Sequence, residues 1–379
     1  MTELKEICKV QCGFAFDSKK FTEDDSFSPL IRIRDVKRGF TQTYYAGEFS
    51  SEYIIHKGDL LVGMDGEFNI ARWNSEDALL NQRVCRIIAN SNVNEEYLRF
   101  YLKRALKLIE SKTSFVTVKH LSAKELNGLK LNLPCMEDQQ CISKQLSILE
   151  LVIRKNKKVL ELFDELVKAR FVEMFGDPNI EFKYSSVKFN DLVARMTKGP
   201  FGSDMKKDLF VPKGENTYKV YIQINAIQKN QSLGEYYISK EYFDRKVSRF
   251  ELFPNDYIIT CDGTLGKYLK LDENMEKGVI SPSLLRLTLQ NDKINDKYFE
   301  NIWDFYMLGL MKKEARNACL VHLPSAKKIG ELSIPVPPLE LQNQFASFVE
   351  EIDKSRSRIQ KSLEASQELF DSLMQEYFG

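Results

Sequence analysis

The histidines and acidic residues that could carry chemistry are few and widely spaced in this chain. Its three histidines are His56, His120 and His322, and no His/Cys group has the spacing of metal ligands. His120 and His322 both precede a leucine in similar segments, so we expect them to share a structural role. Asp65 and Asp262 each precede a glycine, where turn formation explains them without catalysis.

Motifs that bind nucleotides are absent as well. The segment GTLGKY at Gly263–Tyr268 has the wrong spacing for a phosphate-binding loop, and no Ser or Thr follows Lys267. The chain has neither a G-x-G-x-x-G motif nor the Asn/Asp-Pro-Pro-aromatic motif of an amino-methyltransferase. We therefore predict a binding protein that has no catalytic centre, cofactor or metal of its own. A catalytic site at the two Asp-Gly turns is retained as an alternative.

The composition is that of a globular protein with more than one domain. The 379 residues are 43% apolar and 29% charged, with a net charge of +1, and this length suggests about two or three domains. No apolar run approaches the roughly 18 residues of a membrane span, and the first residues lack the apolar core of a signal peptide. Seven cysteines without a CxxC pair indicate reduced thiols. We expect a cytoplasmic location and no membrane partner.

An internal repeat determines the organisation. The junction LKLNLPCMEDQQCI at Leu129–Ile142 matches LSIPVPPLELQNQF at Leu332–Phe345. Upstream, GDLLVGMDGEF at Gly58–Phe68 matches NDYIITCDGTL at Asn255–Leu265, and both junctions follow a His-Leu segment. Two similar globular modules, each followed by a similar helix, are the simplest explanation. The predicted segments are 1–135, 136–176, 177–337 and 338–379.

The two helical segments have apolar residues with alternating spacings of four and three. This is the heptad rule of a coiled-coil seam. Polar residues interrupt the seams at Asn156 and Arg170 in the first helix and at Arg356 and Ser366 in the second. About 38 helical residues would extend roughly 57 Å. We expect the helices to pack on each other; two separate amphipathic surface helices are the alternative.

Runs of alternating or β-branched residues predict short strands in both globular halves. The runs are PLIRIRDV, DLLVGM, RVCRII, YKVYIQI, DYIITC and LLRLTL. Helices are predicted at NEEYLRFYLKRALKLIES and NDKYFENIWDFYMLGLMKK. The expected fold class is α+β, with two pseudo-repeated mixed α/β domains and two long helices that pair as a coiled coil.

This duplicated order resembles the specificity (S) subunit of type I restriction-modification enzymes. The matching segments are SAKELNGLKLNLPCMEDQQ, SAKKIGELSIPVPPLELQNQ and the turn CDGTLGK. The resemblance covers nearly the whole chain. Two departures are Pro134-Cys135, where the family has two prolines, and MDGEFN, which lacks the Thr and second Gly of the other turn.

The resemblance implies that each half is a target recognition domain. It also implies that the two helices pair as an antiparallel coiled coil, which separates the two domains. The chain would then recognise a bipartite, asymmetric site on double-stranded DNA without catalysing a reaction. Its partners would be methyltransferase (modification) subunits and a motor/nuclease (restriction) subunit. S-adenosylmethionine, ATP and Mg would be used by those partners, with no cofactor in this chain. A coiled-coil scaffold whose globular halves bind protein rather than DNA is the competing hypothesis.

DNA recognition needs basic side chains for phosphates and Arg, Lys, Asn or Gln for base edges. Polar loop residues between the predicted strands are therefore the candidates. In the first half they are Lys19, Lys20, Arg32, Arg34, Asn69, Arg72, Gln82, Arg83 and Lys119. In the second half they are Lys198, Ser203, Lys206, Lys207, Gln223, Asn225, Thr264, Lys267, Ser283 and Arg316. Because Arg32 and Arg34 alternate with isoleucines, we expect them on one face of a strand.

Overall fold

The computed structural model describes residues 1–112, 120–177, 180–229, 234–315 and 322–379. It divides into two compact units. The first contains Met1–Lys158 with Ile359–Gly379, and the second contains Val159–Arg358. Each unit therefore combines one globular half with part of each long helix.

The elements of the first half and its helix come first along the chain. The strands are β1 (Thr2–Glu3), β2 (Cys8–Cys12), β3 (Phe21–Thr22), β4 (Ser28–Ile31), β5 (Tyr44–Tyr45), β6 (Ile54–Ile55), β7 (Leu60–Gly63), β8 (Asn69–Arg72), β9 (Ala78–Leu80), β10 (Val84–Ala89) and β11 (Lys130–Leu131). The helices are α1 (Leu4–Ile7), α2 (Ile33–Arg38), α3 (Glu95–Lys112), α4 (Ala123–Asn127) and α5 (Met136–Phe175), with 3-10 turns at Ser18–Lys20 and Ser51–Tyr53.

The second half repeats much of this order. Its strands are β12 (Gly176–Asp177), β13 (Glu181–Phe182), β14 (Ser186–Lys188), β15 (Val193–Lys198), β16 (Thr217–Tyr221), β17 (Tyr236–Ser239), β18 (Tyr257–Thr260), β19 (Tyr268–Lys270), β20 (Gly278–Ile280), β21 (Leu284–Leu289) and β22 (Ser333–Pro335). Its helices are α6 (Gln223–Ala226), α7 (Lys240–Tyr242), α8 (Asp296–Ile302), α9 (Leu308–Ala315), α10 (Ala326–Gly330) and α11 (Leu339–Phe378). Shorter helical turns lie at Phe189–Leu192, Gly202–Asp204, Lys207–Leu209, Phe243–Val247, Ser248–Phe250 and Trp303–Met307.

The central sheet has the same strand order in the two units. The antiparallel order β2-β10-β7-β8 in the first corresponds to β15-β21-β18-β19 in the second. Next to it, β4 pairs in parallel with β9, and β16 pairs in parallel with β20. The second sheet differs in size, since β4 and β9 belong to a five-stranded sheet, whereas β16 and β20 belong to a three-stranded one. The predicted α+β repeat is therefore confirmed.

A buried glutamine fixes each strand-to-helix junction. The Gln139 Oε1 atom accepts the Asn94 backbone N–H at 2.8 Å, and its Nε2 donates to the Pro134 carbonyl at 2.9 Å. Gln342 is fully buried and repeats both contacts, with Asn295 N–H and the Pro337 carbonyl, each at 2.8 Å. Since buried amides must find partners, the glutamine ties the start of each long helix to the residue before α3 or α8.

The long helices pair within each unit. In the first unit, Leu146 and Ile153 are buried with Phe370, and Asn156 Nδ2 donates to Ser362 Oγ at 3.1 Å. Early residues of α5 thus contact late residues of α11.

The second unit shows the reverse order along the two helices. Val167 and Phe171 lie in one core with Phe345, and Arg356 Nη2 lies 2.7 Å from Asp164 Oδ1. Late residues of α5 therefore contact early residues of α11, so the pair is antiparallel, as the family resemblance implies. The packing of the two helices on each other was predicted from the heptads.

The prediction that Arg32 and Arg34 share a strand face is wrong. Strand β4 ends at Ile31, and α2 begins two residues later. The carboxylate of Asp35, which is 2% exposed, accepts the Arg32 backbone N–H at 2.9 Å and so caps the start of the helix. Arg32 precedes the first turn of α2, and Arg34 lies within it.

In the part of the chain that the structure describes, none of the helices combines the length and the apolar character needed to cross a membrane.

Candidate nucleic-acid interface

The Asp-Gly turns that follow β7 and β18 carry an Asp–His pair in each unit. Gly66 and Gly263 adopt φ of 68° and 69°, which is the left-handed region that glycine allows. Asp65 Oδ1 lies 2.5 Å from His120 Nδ1. In the second unit, Asp262 Oδ1 lies 2.5 Å from His322 Nδ1. The turns predicted at these two glycines are confirmed, and the two histidines make the same contact.

An open cleft of about 840 Å³ lies beside the first turn. Five of the residues predicted from the sequence line it together: Arg32, Arg34, Asn69, Gln82 and Arg83. The parallel pairing of β4 with β9 produces this arrangement, because it brings the residues that follow both strands to the same edge. Five basic and two acidic side chains line the cleft, so it suits an anionic ligand.

The cations of the cleft differ in how strongly they are paired. Arg83 Nε lies 3.2 Å from Asp65 Oδ2, and its side chain is 49% exposed. Lys37 pairs with Glu67 at 3.0 Å. The guanidinium of Arg32 is exposed and has no ion pair among the described residues. Exposed pairs of this kind are weak, so these side chains can exchange their partners for a ligand.

Sequence reasoning missed two residues of the cleft, Lys37 and Arg38. Both lie in the last turn of α2, which the strand prediction had hidden. The available signal was the Asp35 cap followed by Gly39, which has φ of 77° and ends the helix.

Three other candidates of the first half lie elsewhere. Arg72 is held by Glu95 at 2.6 Å and Glu96 at 2.5 Å, and it does not line the cleft. Lys19 and Lys20 are exposed in the 3-10 turn that begins at Ser18. The structure thus gives Arg72 a role in attaching β8 to α3.

The second unit brings several candidates around its Asp-Gly turn. Gln223 begins α6, and its Nε2 atom lies 4.0 Å from the position that a Cβ on Gly263 would take. Thr264 and Lys267 are exposed in the same loop. Ser283 Oγ lies 3.3 Å from Ser281 Oγ.

The remaining candidates of the second unit are placed as follows. Lys198 ends β15 and is exposed. The side-chain amide of Asn225 donates to the Gly234 carbonyl. The exposed Ser203, Lys206 and Lys207 lie in the segment that follows Lys198. Two candidates, Lys119 and Arg316, fall outside the described residues.

In each unit, a glycine lies very close to a backbone carbonyl of a neighbouring chain segment. A Cβ on Gly13 would lie 2.2 Å from the Asn81 carbonyl oxygen, and one on Gly199 would lie 2.0 Å from the Ser281 carbonyl oxygen. Only glycine fits at these two positions. The two units therefore share a backbone framework, on which they carry different polar side chains.

The described residues contain no cluster of three His, Cys, Asp or Glu side chains that could hold a metal ion. The Asp–His pairs each contribute two such groups to an exposed turn. In the first unit, the side chain that contacts the histidine of this pair is Arg83, which is a cation.

The sequence and the fold both match known proteins. A family model described as "Type I restriction modification DNA specificity domain" matches residues 1–162 and 202–367. The EcoBI specificity subunit of Escherichia coli is 28% identical over 399 residues, which cover 95% of this chain and 80% of that protein. The MjaVIII specificity subunit of Methanocaldococcus jannaschii is 28% identical over 169 residues, which are 40% of this chain and 37% of that one.

Among solved structures, the S subunit of a type I restriction-modification system from M. genitalium has the same fold. The TM-score is 0.62 at 13% identity, and the match covers 100% of this chain and 95% of that one. The family model extends over both units and most of the residues. The chain therefore belongs to the family of type I restriction-modification DNA specificity subunits.

Proposed function

We propose that this chain recognises a bipartite, asymmetric DNA target, with one part of the target bound by each unit. The cleft beside the first Asp-Gly turn and the polar loops beside the second would contact the DNA. The chain itself would catalyse no reaction and would act in the cytoplasm as the recognition subunit of a larger complex.

The observation that carries this proposal is a difference at equivalent positions of a shared framework. Met64 N–H donates to the Arg83 carbonyl at 3.0 Å, and Cys261 N–H donates to the Ser283 carbonyl at 2.8 Å. Arg83 and Ser283 are therefore structural equivalents.

The helix that follows the parallel strand differs in the same way. Arg32 precedes the first turn of α2, and Ile222 precedes that of α6. Glu67 follows one Asp-Gly turn, and Thr264 follows the other. Side chains of different length and charge prefer different base edges. Two units of this kind favour an asymmetric target.

Exposed apolar residues on α5 support the docking of partner subunits. In the first unit Ile148 is 52% exposed and Leu151 is 39% exposed, and in the second unit Leu162 and Leu166 are each 47% exposed. Each pair is three or four residues apart and so lies on one face of its helix. Methyltransferase subunits would cover these faces, and a motor/nuclease subunit would join them. S-adenosylmethionine, ATP and Mg would be bound by those partners.

The test is the methylation of DNA by the assembled complex. The chain is expressed with its methyltransferase subunits, and methylated adenines are mapped in cellular DNA. The expected result is a single motif with two specified parts separated by unspecified bases. Cells that express the methyltransferase subunits without this chain provide the control.

Two results together would contradict the proposal. They are a methylation map that is the same with and without this chain, and DNA binding that is independent of sequence. If the complex assembles normally but gives both of these results, this chain is a coiled-coil scaffold whose globular halves bind protein.

A further inference from the structure

Two cysteines lie opposite each other on adjacent strands of the central sheet in the first unit. Cys12 at the end of β2 is directly opposite Cys85 in β10, and their Sγ atoms are 3.1 Å apart. Because Gly13 N–H donates to the neighbouring Val84 carbonyl, the cysteines occupy a position without mutual hydrogen bonds. Opposed Cα atoms are about 4.5 Å apart at such positions, a separation that a disulfide can span.

The two thiols differ in their access to solvent. Cys12 is exposed, whereas Cys85 is fully buried and its Sγ also contacts Met64 Sδ at 2.9 Å. Burial and the nearby Cys12 raise the pKa of the Cys85 thiol. An oxidant in solution therefore reacts first with the exposed Cys12 thiol. The buried Cys85 thiol is then positioned to react with the oxidised Cys12 sulfur.

The second unit shows that the fold does not require this pair. The equivalent register position in its sheet joins Lys198 to Leu285. At this register position the second unit therefore has no cysteine pair, and it serves as an internal control.

The pair lies directly behind the cleft. Arg83, which lines the cleft, is two residues before Cys85. Gly13, the residue after Cys12, packs against the Asn81 carbonyl without space for a Cβ. A bond between Cys12 and Cys85 would therefore form next to two chain segments at this edge of the cleft.

We propose that Cys12 and Cys85 form a reversible disulfide in the presence of a peroxide and that this bond weakens recognition by the first unit. The Cys12 thiol loses its proton, and its sulfur attacks a peroxide oxygen. The O–O bond breaks and the leaving hydroxide takes up that proton, which gives a sulfenic acid and one water. The Cys85 sulfur then attacks the Cys12 sulfur, the S–O bond breaks, and the hydroxyl leaves with the Cys85 proton as a second water. Two thiols and one hydrogen peroxide become one disulfide and two waters. A dithiol reverses the bond by exchange.

The covalent part is tested on the full chain in complex with its methyltransferase subunits. The exposed Cys135 and Cys141 are replaced by serine, the complex is treated with hydrogen peroxide, and peptides are mapped without reduction. The expected product links the Cys12 peptide to the Cys85 peptide, disappears with dithiothreitol and is absent from Cys12→Ser. A Cys12 that stays a thiol or proceeds to sulfinic acid, with Cys85 unlinked, overturns the proposal.

The effect on recognition rests on the proposed function and is measured separately. The affinity of the oxidised complex for its DNA target should fall about tenfold, the loss typical of one mismatched base pair, and Cys12→Ser should be insensitive to peroxide. Equal affinity of oxidised and reduced complexes, with the disulfide present, overturns the effect on recognition. If the reduced complex does not bind DNA selectively, the proposed function is refuted instead. The disulfide is still tested in that case, because the peptide map detects it without a DNA-binding measurement.

Discussion

Arg83 is a residue at which the two units offer different groups to a base. Its half-exposed guanidinium lies beside Asp65 and His120 at the cleft, and Ser283 takes its place in the second unit. An arginine can bind guanine O6 and N7 with two hydrogen bonds. A serine reaches less far and makes one.

Arg83→Ser should therefore weaken target binding by about 10- to 100-fold and relax the specificity at one base pair of one half-site. Binding assays with substituted duplexes would measure both effects. The matched control is Arg72→Lys, since Arg72 contacts Glu95 and Glu96 outside the cleft. Arg83→Ser with unchanged preference at every base pair would show that Arg83 does not contact bases.

Gln139 and Gln342 are the residues that connect the sheets to the long helices. Gln139→Leu leaves the Asn94 N–H and the Pro134 carbonyl without their partner and should cost about 2 kcal/mol of unfolding free energy. The chain has two tryptophans, Trp73 in the first unit and Trp303 in the second. In a Trp303→Phe background, urea unfolding followed by Trp73 fluorescence measures the first unit.

Two comparisons control this measurement. The exposed neighbour Gln140 should tolerate leucine with little change. Gln342→Leu should lower the transition reported by Trp303 in a Trp73→Phe background. An effect of equal size from Gln140→Leu would mean that the buried hydrogen bonds are not the cause.

At the scale of elements, an ion-pair cluster attaches α3 to α5 in the first unit. Glu150 lies 2.7 Å from Arg99 and 2.5 Å from Lys103. Burial acts to raise the pKa of Glu150, but hydrogen bonds from Arg99 and Lys103 outweigh it and hold this pKa below the ordinary value of 4.5. A carboxyl with a lowered pKa stabilises the fold above the ordinary value, and this contribution is lost as the pH falls through the folded-state pKa.

Glu150→Gln should therefore lower the stability of the first unit by about 1 kcal/mol at pH 7, and the difference from the parent should shrink as the pH falls below 4.5. The urea transition of Trp73 at a series of pH values would test this. The exposed Glu137→Gln is the control. A difference that stays constant with pH would assign the loss to packing instead of charge.

The elements differ in how well the sequence predicts them. The long helices are predictable because a heptad seam is a local pattern, and Leu146, Ile153 and Val167 are buried as that pattern requires. The helix at Ile33–Arg38 is harder to predict, because IRIR alternates like a strand and the helix is indicated by Asp35 at its start and Gly39 at its end. The cleft could not be predicted either. Arg32 and Gln82, for example, are brought together by the long-range parallel pairing of β4 with β9.

At the scale of the molecule, the internal repeat predicts the architecture. It does not predict which residues contact each other. Two copies of one junction imply two modules and two helices, and the family match agrees with this. What lies outside the repeat is harder to predict. The exposed leucines of α5 lie off the heptad seam, so the heptad pattern predicts no contact for them.

These leucines support the last prediction, which concerns assembly. Leu162 and Leu166 are each 47% exposed on one face of α5, and covering such a face with a partner would remove apolar surface from water. Leu162→Glu with Leu166→Glu should reduce co-purification of the methyltransferase subunit at least about tenfold. Helix content and urea stability should stay near those of the parent, because neither side chain belongs to the packed cores.

The control is Lys168→Asp, which introduces a carboxylate on an exposed residue of the same helix but about 120° around the axis from Leu162. It should leave the complex intact. If both variants weaken assembly equally, the cause is the charge of the helix rather than its apolar face. If neither does, the methyltransferase subunit binds elsewhere, and the exposed leucines of the second unit are not its docking site.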